Sequence, residues 1–233
     1  MQLFYVPNIS GAEIFLNEAE SKHAIKVRRL SNGDTIQFVD GKGGFYKAEI
    51  SDANPKKCRL TIKNTQTDSW KKDFYLHIAI APTKNIDRFE WFLEKATEIG
   101  INEITVLLTE HSERKTVKTE RLEKILISAM KQSIKAYLPI LNETTHFHDL
   151  ILSTTCKNKF IAHCNEGEKI HLKNTVKKGE DVLVLIGPEG DFSIEEVKFA
   201  KEHGFQEISL GNSRLRTETA GVIACHIVNL ANE

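Results

Sequence analysis

The sequence has little cysteine and no long apolar run, and these two shortages exclude several classes of protein. Its four cysteines are widely spaced and form no Cys-x-x-Cys pair, which excludes a zinc ribbon and indicates reduced thiols. No stretch approaches the ~18 uninterrupted apolar residues that a membrane span needs, so no membrane partner is predicted. The opening residues MQLFYVPNISGAE lack the basic and apolar regions of a signal peptide. A cytoplasmic location is therefore predicted.

The chain also lacks net charge, with 32 Lys and Arg against 32 Asp and Glu in 233 residues. The distribution of the charges is uneven, because residues 1–72 hold twelve basic and eight acidic side chains and residues 73–233 hold twenty and twenty-four. Basic clusters at Lys22–Arg29 and Arg114–Lys135 are typical of a protein with a phosphate-rich partner, although either cluster alone is ordinarily a solvated face. A neutral total therefore does not exclude a nucleic acid as partner.

The pattern of apolar residues changes at Asp68–Asp73, a polar stretch suited to a linker. Before it, short strand-like runs and a glycine-rich hairpin between TIQFVD and FYKAEI indicate a small β-rich domain over residues 1–70. After it, apolar strand-like runs alternate with amphipathic helices, including Ile86–Ile99 and Thr119–Ala136. This alternation predicts an α/β domain with a parallel sheet over residues 73–233.

One predicted strand of the second domain leads into the sequence LIGPEGDFS. Ligands in α/β sheets bind at the carboxyl ends of strands, and Gly187 and Gly190 would let the backbone approach a ligand closely. An ordinary strand–turn–helix connection, with Ser193 capping the helix, explains the same glycines equally well. The segment is neither a P-loop nor a GxGxxG motif.

A second strand end, LGNSRLRTETA, leads into a helix that is otherwise almost wholly apolar. Arg216 and Glu218 lie at the entrance of this helix, where partial burial is costly unless they pair with each other or contact a ligand. The alternative is a purely structural arrangement, in which Thr217 caps the helix and the two charges form a buried pair.

Cations at a third strand end also suggest an external anion. Lys84 and Arg88 lie at the start of the helix after the first strand of the second domain, where the helix dipole disfavours positive charge. A solvated helix face is the alternative explanation. His163 ends another predicted strand and is expected to line the same crevice, whereas the spacing of the remaining histidines predicts no metal site.

The sequence resembles the RsmE-type 16S rRNA uracil-N3 methyltransferases of the SPOUT class. The matching motifs run through nearly the whole chain in the order of the family. They are HAIKVRRL followed by GDTIQFVDGKGG, Lys84 and Arg88 followed by KATEIG, Gln132-Ser133 followed by Pro139, IGPEGDFS, and LGNSRLRTETA.

The resemblance implies a fold, a cofactor and partners. The expected fold is a small N-terminal PUA-like β-barrel domain that binds RNA, followed by a C-terminal SPOUT α/β domain whose chain forms a trefoil knot. The expected activity is methylation of N3 of a specific uridine in 16S rRNA of the small ribosomal subunit, with S-adenosyl-L-methionine as cofactor. A homodimer whose subunits build the site jointly is also implied.

The resemblance assigns the cofactor-binding residues by position, and the chemistry of methyl transfer to RNA suggests roles for the other candidates. Arg216 would position the base or a phosphate, and Glu218 would hold that arginine or relay the proton. This sequence departs from the family pattern at two positions. Asp191 stands where the family usually has a second glycine, and Ser213 stands where it usually has an arginine. The neighbouring Arg214 could supply the guanidinium that is missing at Ser213. The cofactor would be bound by Leu185, Gly187, Gly190, Leu210, Gly211, Leu215 and His163, and the RNA by Arg28, Arg29, Lys84, Arg88 and Arg214.

Two other functions remain open. One is a non-catalytic RNA-binding factor of ribosome assembly built on the same scaffold, and the other is an enzyme that binds a different nucleotide cofactor at the same strand ends. The polar residues at the start of a buried helix favour an enzyme, because a scaffold does not need them.

Overall fold

The computed structural model describes residues 3–9, 11, 13–68 and 70–233, and the chain divides into two compact units. The first unit is the part up to Lys71 together with Ile127–Leu138, and the second comprises Lys72–Leu126 and Pro139–Glu233. The predicted second domain, residues 73–233, includes the segment Ile127–Leu138. The contacts of this segment group it with the first unit, where Met130 and Ala136 are fully buried in one apolar cluster with Leu3 and Val39.

A five-stranded mixed sheet forms the first unit. Its core comes from alternating residues of neighbouring strands, among them Phe38, Ile50 and Leu60, which are fully buried. Strand β1 runs parallel to β3, and the other pairs are antiparallel, in the order β1-β3-β4-β5-β2. The strands are β1 (Leu3–Tyr5), β2 (Glu13–Phe15), β3 (Thr35–Val39), β4 (Phe45–Asp52) and β5 (Arg59–Gln66).

The predicted helix from Glu18 to Arg29 is shorter and less regular in the structure. Helix α1 covers Glu18–Lys22, and its first turn is capped by the Asn17 side chain, which accepts a hydrogen bond from the backbone N–H of Glu20. The chain then widens into one π-helical stretch, His23–Val27. Arg29 follows with a left-handed φ of 59°.

The second unit contains the predicted parallel sheet. Its seven strands have the order β10-β12-β9-β11-β6-β7-β8, and every neighbouring pair is parallel. The central strand β11 is buried along its whole length, as its continuously apolar sequence predicts. The strands are β6 (Leu76–Ile80), β7 (Glu103–Leu108), β8 (Ile140–His146), β9 (Asn158–Ala162), β10 (Ile170–His171), β11 (Val182–Ile186) and β12 (Gln206–Ser209).

The helices confirm two predicted ranges and shorten a third. Helices α2 and α6 have the predicted bounds, whereas α3 ends at Gln132 and not at Ala136, because Ile134 leaves the helix with a φ of 57°. Strand β8 and helix α4 were not predicted. The helices are α2 (Ile86–Ile99), α3 (Thr119–Gln132), α4 (Phe147–Ser153), α5 (Ile194–Glu202) and α6 (Thr217–Leu230). No helix in the described part of the chain is long and apolar enough to cross a membrane.

Gly221 allows helix α6 to lie close to its neighbours. A Cβ atom at this position would be 2.6 Å from Phe92 Cε2 and 2.9 Å from Ile80 Cδ1, and both side chains are fully buried. We expect Gly221→Ala to destabilise the protein by about 1–3 kcal/mol, despite the better helix propensity of alanine, which is worth about 1 kcal/mol. Urea denaturation measures the change, with His226→Ala on the exposed face of α6 as control. A raised midpoint for Gly221→Ala would contradict this prediction.

Candidate functional site

The carboxyl ends of strands β9, β11 and β12 surround a cavity of about 790 Å³ in the second unit. A parallel sheet characteristically places its ligand sites at this edge, and the volume is that of a small-molecule or cofactor site. Three loops line it, and they follow β9 (Ala162–Cys164), β11 (Ile186–Glu189) and β12 (Ile208–Arg216). Further lining residues are Arg88, Lys169, Asp191, Thr217 and Ala220.

The loop after β11 is held in a tight turn by its own side chains. Ser193 caps α5 by accepting from the backbone N–H of Glu196, and the Glu196 carboxylate accepts in return from the N–H of Ser193. A Cβ atom at Gly187 would lie 3.1 Å from the ring of Phe192, which is buried in the core. The packing of the turn itself therefore disfavours a side chain at Gly187, whatever ligand the loop contacts.

His163 contributes a buried polar atom without a partner to the wall of the cavity. Its Nε2 lies 3.1 Å from Glu207 Oε1, and Glu207 is also paired with Lys201. Its Nδ1 is buried and has no hydrogen-bond partner in the described chain. Burial lowers the pKa of His163, and the positive charge of Lys169 lowers it further. The ring is thus neutral, with Nε2–H donating to Glu207 and Nδ1 available as an acceptor.

The lowered pKa of His163 predicts a loss of stability on acidification. The unfolded chain binds a proton at this histidine near its ordinary pKa of about 6.5, before the folded chain does, so stability falls as the pH drops below about 7. We expect His163→Asn to reduce this slope only in part, because burial also lowers the pKa of His77. The midpoints of urea denaturation, measured between pH 7.5 and 5, test this prediction, with His148→Asn at an exposed position as control. An unchanged slope in His163→Asn would contradict the assignment.

Glu218 pairs with Arg88 and not with Arg216. Glu218 is only 7% exposed in the first turn of α6, its Oε1 lies 3.9 Å from Arg88 Nε, and its Oε2 is buried without a partner. Arg216 precedes α6 as an exposed N-cap residue in extended conformation. No carboxylate among the described residues lies within ion-pair distance of Arg216. Side chains two positions apart do not face each other at a helix start, which explains why the predicted Arg216–Glu218 pair does not form.

Lys84 and Arg88 have different surroundings. The ammonium group of Lys84 pairs with Glu113 at 2.8 Å on the exposed surface, and its backbone N–H donates to Glu189 Oε1 at 3.0 Å. Arg88 instead lines the cavity. Arg114, which the sequence placed in a basic cluster, donates to the carbonyl oxygens of Thr83 and Lys84 and so holds the loop before α2.

The second basic cluster contains fewer unpaired cations than its sequence suggests. Arg121 pairs with Glu90 and Asp87, and Lys131 pairs with Glu20. Two of the seven cations of this cluster are therefore neutralised by the protein's own carboxylates.

The remaining candidates fall into three groups. Glu218 lies between Thr217 and Ala220 in the sequence, and both of these residues line the cavity. Leu185 and Gly190 do not line it, and the side chain of Leu185 is fully buried with Phe192 in the core. Arg28 and Arg29 are exposed in the first unit. The cavity is lined by His163, Gly187, Leu210, Gly211, Leu215, Arg88, Arg214 and Arg216.

The sequence did not single out Glu207, which is hydrogen-bonded to His163, or Lys169, whose charge adds to the lowering of the His163 pKa by burial. Each is one charged residue among many in a chain with 27% charged residues, and no motif surrounds either. Only the folded sheet brings Glu207 to His163 and Lys169 to the cavity wall.

Comparison with known proteins matches two consecutive parts of the chain to described families. The family described as RNA methyltransferase domain matches residues 71–229, and the one described as RNA methyltransferase PUA domain matches residues 16–63. The ribosomal RNA small subunit methyltransferase E of Mesomycoplasma hyopneumoniae is 30% identical, over 95% of this chain and 96% of that protein.

Solved structures agree with the sequence relatives. A probable rRNA-methyltransferase from Porphyromonas gingivalis has a TM-score of 0.93 and 41% identity, covering 100% of this chain and 98% of that one. A methyltransferase from Legionella pneumophila in complex with the cofactor SAM has a TM-score of 0.89 and 26% identity, covering 99% and 97%. From these matches over both units, the chain belongs to the ribosomal RNA small subunit methyltransferase E family, with a PUA domain and an RNA methyltransferase domain.

Proposed function

We propose that this protein transfers the methyl group of S-adenosyl-L-methionine to N3 of a specific uridine in 16S rRNA. The observation that carries the proposal is the cavity at the ends of β9, β11 and β12, with a buried carboxylate at the start of α6 and three arginines on or beside its wall. Relatives of the chain are named for methylation of small-subunit rRNA, and one similar structure holds SAM. The proposal also places the protein in the cytoplasm, where small-subunit rRNA is found.

The residues around the cavity fit this cofactor. A Cβ atom at Gly211 would meet no other atom within 4 Å, and its φ of 132° suits glycine, so the backbone there is open to a ligand. The unpartnered Nδ1 of His163 can accept a hydrogen bond from a ligand hydroxyl or amino group. Gly187, Leu210, Gly211, Leu215 and His163 would hold the cofactor. When bound, it supplies a methyl group made electrophilic by its sulfonium.

The protein's own side chains must manage a proton and a developing charge. Uracil N3 carries a proton, and Glu218 Oε2 is the buried, unpartnered acceptor placed to receive or relay it, with Arg88 holding the other carboxylate oxygen. Arg216 would position the base or its phosphate and stabilise negative charge on the uracil oxygens. Because N3 is inaccessible in a paired or stacked base, the target uridine must be turned out towards the cavity.

Two measurements test the proposed function. Calorimetry with S-adenosylmethionine distinguishes it from a scaffold and from an enzyme of another cofactor, since both alternatives predict no binding. Mass mapping of small-subunit rRNA from cells with and without the protein then identifies the nucleotide. We expect one methylated uridine to disappear from 16S rRNA, and an unchanged methylation map would refute the proposed substrate.

The proposed RNA-binding domain, residues 1–70, is expected to control affinity and its salt dependence. Arg28 and Arg29 are both exposed after the π-helical stretch. Each phosphate contact contributes close to one unit to the slope of log K against log salt, so Arg28→Ala/Arg29→Ala should reduce the slope by about 2. Filter binding with 16S rRNA fragments measures this, with exposed Lys198→Ala as control. An unchanged slope would remove these arginines from the RNA interface.

We also propose a homodimer. Helix α6 carries half-buried Ile223 and Ile227 and exposed Leu230 at helical spacing, an apolar side that a second copy could cover. Light scattering should give twice the chain mass, and Leu230→Asp should shift it towards the monomer. A wild-type mass of 26.4 kDa would refute the dimer.

A further inference from the structure

Asp191 adopts a backbone conformation that few residues tolerate. Its φ is 64°, in the left-handed region, where aspartate is accepted because its short side chain bonds locally. The side chain does so here, since Oδ1 accepts from the backbone N–H of Phe192 at 2.8 Å. The N–H of Asp191 donates to the carbonyl of Pro188 at 3.0 Å and closes the turn.

The same residue reaches two other loops. Its Oδ2 accepts from the backbone N–H of Cys164 at 2.7 Å, in the loop after β9. Its carbonyl oxygen lies 3.0 Å from Nδ1 of His111, in the loop after β7, and must be the acceptor. Asp191 therefore links the loops after β7, β9 and β11, all in the second unit.

Two of these loops form walls of the cavity, to which both Cys164 and Asp191 contribute. Ordering separately mobile loops costs free energy, which lowers the affinity of a ligand that binds between them. Loops that are already joined avoid this cost. Oδ2 of Asp191 joins the loop after β9 and Oδ1 holds the turn of its own loop, so both carboxylate oxygens already accept backbone hydrogen bonds.

We propose that Asp191 is a positioning residue that joins the cofactor loops before the ligand arrives and thereby sets the affinity for S-adenosylmethionine. The role in cofactor affinity rests on the proposed function, whereas the linkage of the loops exists without any ligand. A glycine could provide the left-handed turn, but it could not provide the bond to Cys164.

Three variants separate the carboxylate from the backbone conformation. Asp191→Gly removes the carboxylate and suits the φ of 64°, Asp191→Ala removes it and leaves the backbone strained, and Asp191→Asn keeps one carbonyl acceptor. Asp149→Ala, at an exposed position of α4 outside the cavity, is the matched control.

The linkage itself is tested on the protein without cofactor. Loss of a hydrogen bond to a charged group is worth about a factor of ten or more, so amide exchange at Cys164 should be about tenfold faster in Asp191→Gly. Alkylation of the exposed Cys164 thiol should also accelerate, with buried Cys58 and Cys225 as internal references. Exchange and alkylation at wild-type rates would overturn the proposal.

The effect on the cofactor is then measured by calorimetry and by steady-state kinetics. We expect Asp191→Gly and Asp191→Ala to weaken S-adenosylmethionine binding by about tenfold, with Asp191→Asn intermediate and kcat at saturating cofactor within about twofold of wild type. A lower kcat with unchanged affinity would overturn the positioning role. Failure of the wild type to bind S-adenosylmethionine would contradict the proposed function, and exchange at Cys164 would still decide whether the linkage exists.

Discussion

Arg216→Ala is expected to lower the single-turnover rate of rRNA methylation by about a hundredfold or more, the usual cost of removing a group that stabilises transition-state charge. Arg216 is exposed at the start of α6, lines the cavity and is not neutralised by any carboxylate of the described chain. Its charge is therefore available to the uracil oxygens or a phosphate. Rapid-quench mixing of enzyme–cofactor complex with small-subunit rRNA measures the rate.

Glu218→Gln provides the complementary test of the proton route. The glutamine keeps the size of the side chain but removes the basic oxygen that is buried without a partner, so we expect a fall of about ten- to a hundredfold in the same assay. For Arg216→Ala, the matched control is Arg121→Ala, because the guanidinium of Arg121 pairs with Glu90 outside the cavity. Wild-type rates in both Arg216→Ala and Glu218→Gln would refute the assignment of this chemistry.

Gly187→Val should weaken S-adenosylmethionine binding by about 5- to 150-fold, since overpacking of about 1–3 kcal/mol would fall directly on the loop after β11 that lines the cavity. Even one added carbon at Gly187 would lie 3.1 Å from the ring of Phe192 and 3.2 Å from its backbone nitrogen. The added valine must therefore displace either Phe192 from the core or the loop into the cavity. Calorimetry measures the affinity, and thermal unfolding shows how much of the change is global.

A second substitution tests whether Phe192 is the cause. Phe192→Leu removes ring atoms from the position that valine needs, so the double variant Gly187→Val/Phe192→Leu should recover part of the lost affinity. Phe192→Leu alone serves as the control. If the double variant binds no better than Gly187→Val, the conflict lies elsewhere in the loop.

The parallel sheet and helices α2 and α6 could be predicted because local patterns determine them. The continuous apolar run of β11 and the 3–4 spacing of Phe89, Phe92 and Ala96 in α2 each report burial within one element. The positions of the loops that line the cavity follow from the same patterns, because strand ends of a parallel sheet lie at one edge. The trefoil knot that the family resemblance implies stays a prediction.

Long-range pairing could not be predicted. Glu218 has Arg88, from a helix more than a hundred residues earlier, as its partner, while the sequence offered Arg216, two positions before it. The segment Ile127–Leu138 continues a helix that begins in the second unit, so no local signal assigns it to the first. Asp191 was recognised only as a departure from a glycine, because its partner Cys164 carries no motif.

The exposed thiol of Cys164 is a group in the cavity with which a selective inhibitor could react. It lies in the wall of the cavity, whereas Cys58 and Cys225 are buried and burial raises the pKa of the half-buried Cys156. A cofactor-sized molecule carrying a mild electrophile therefore has one accessible cysteine to attack at this site. Such a compound would occupy the cavity irreversibly, and it would distinguish this enzyme from relatives without a cysteine at the end of β9.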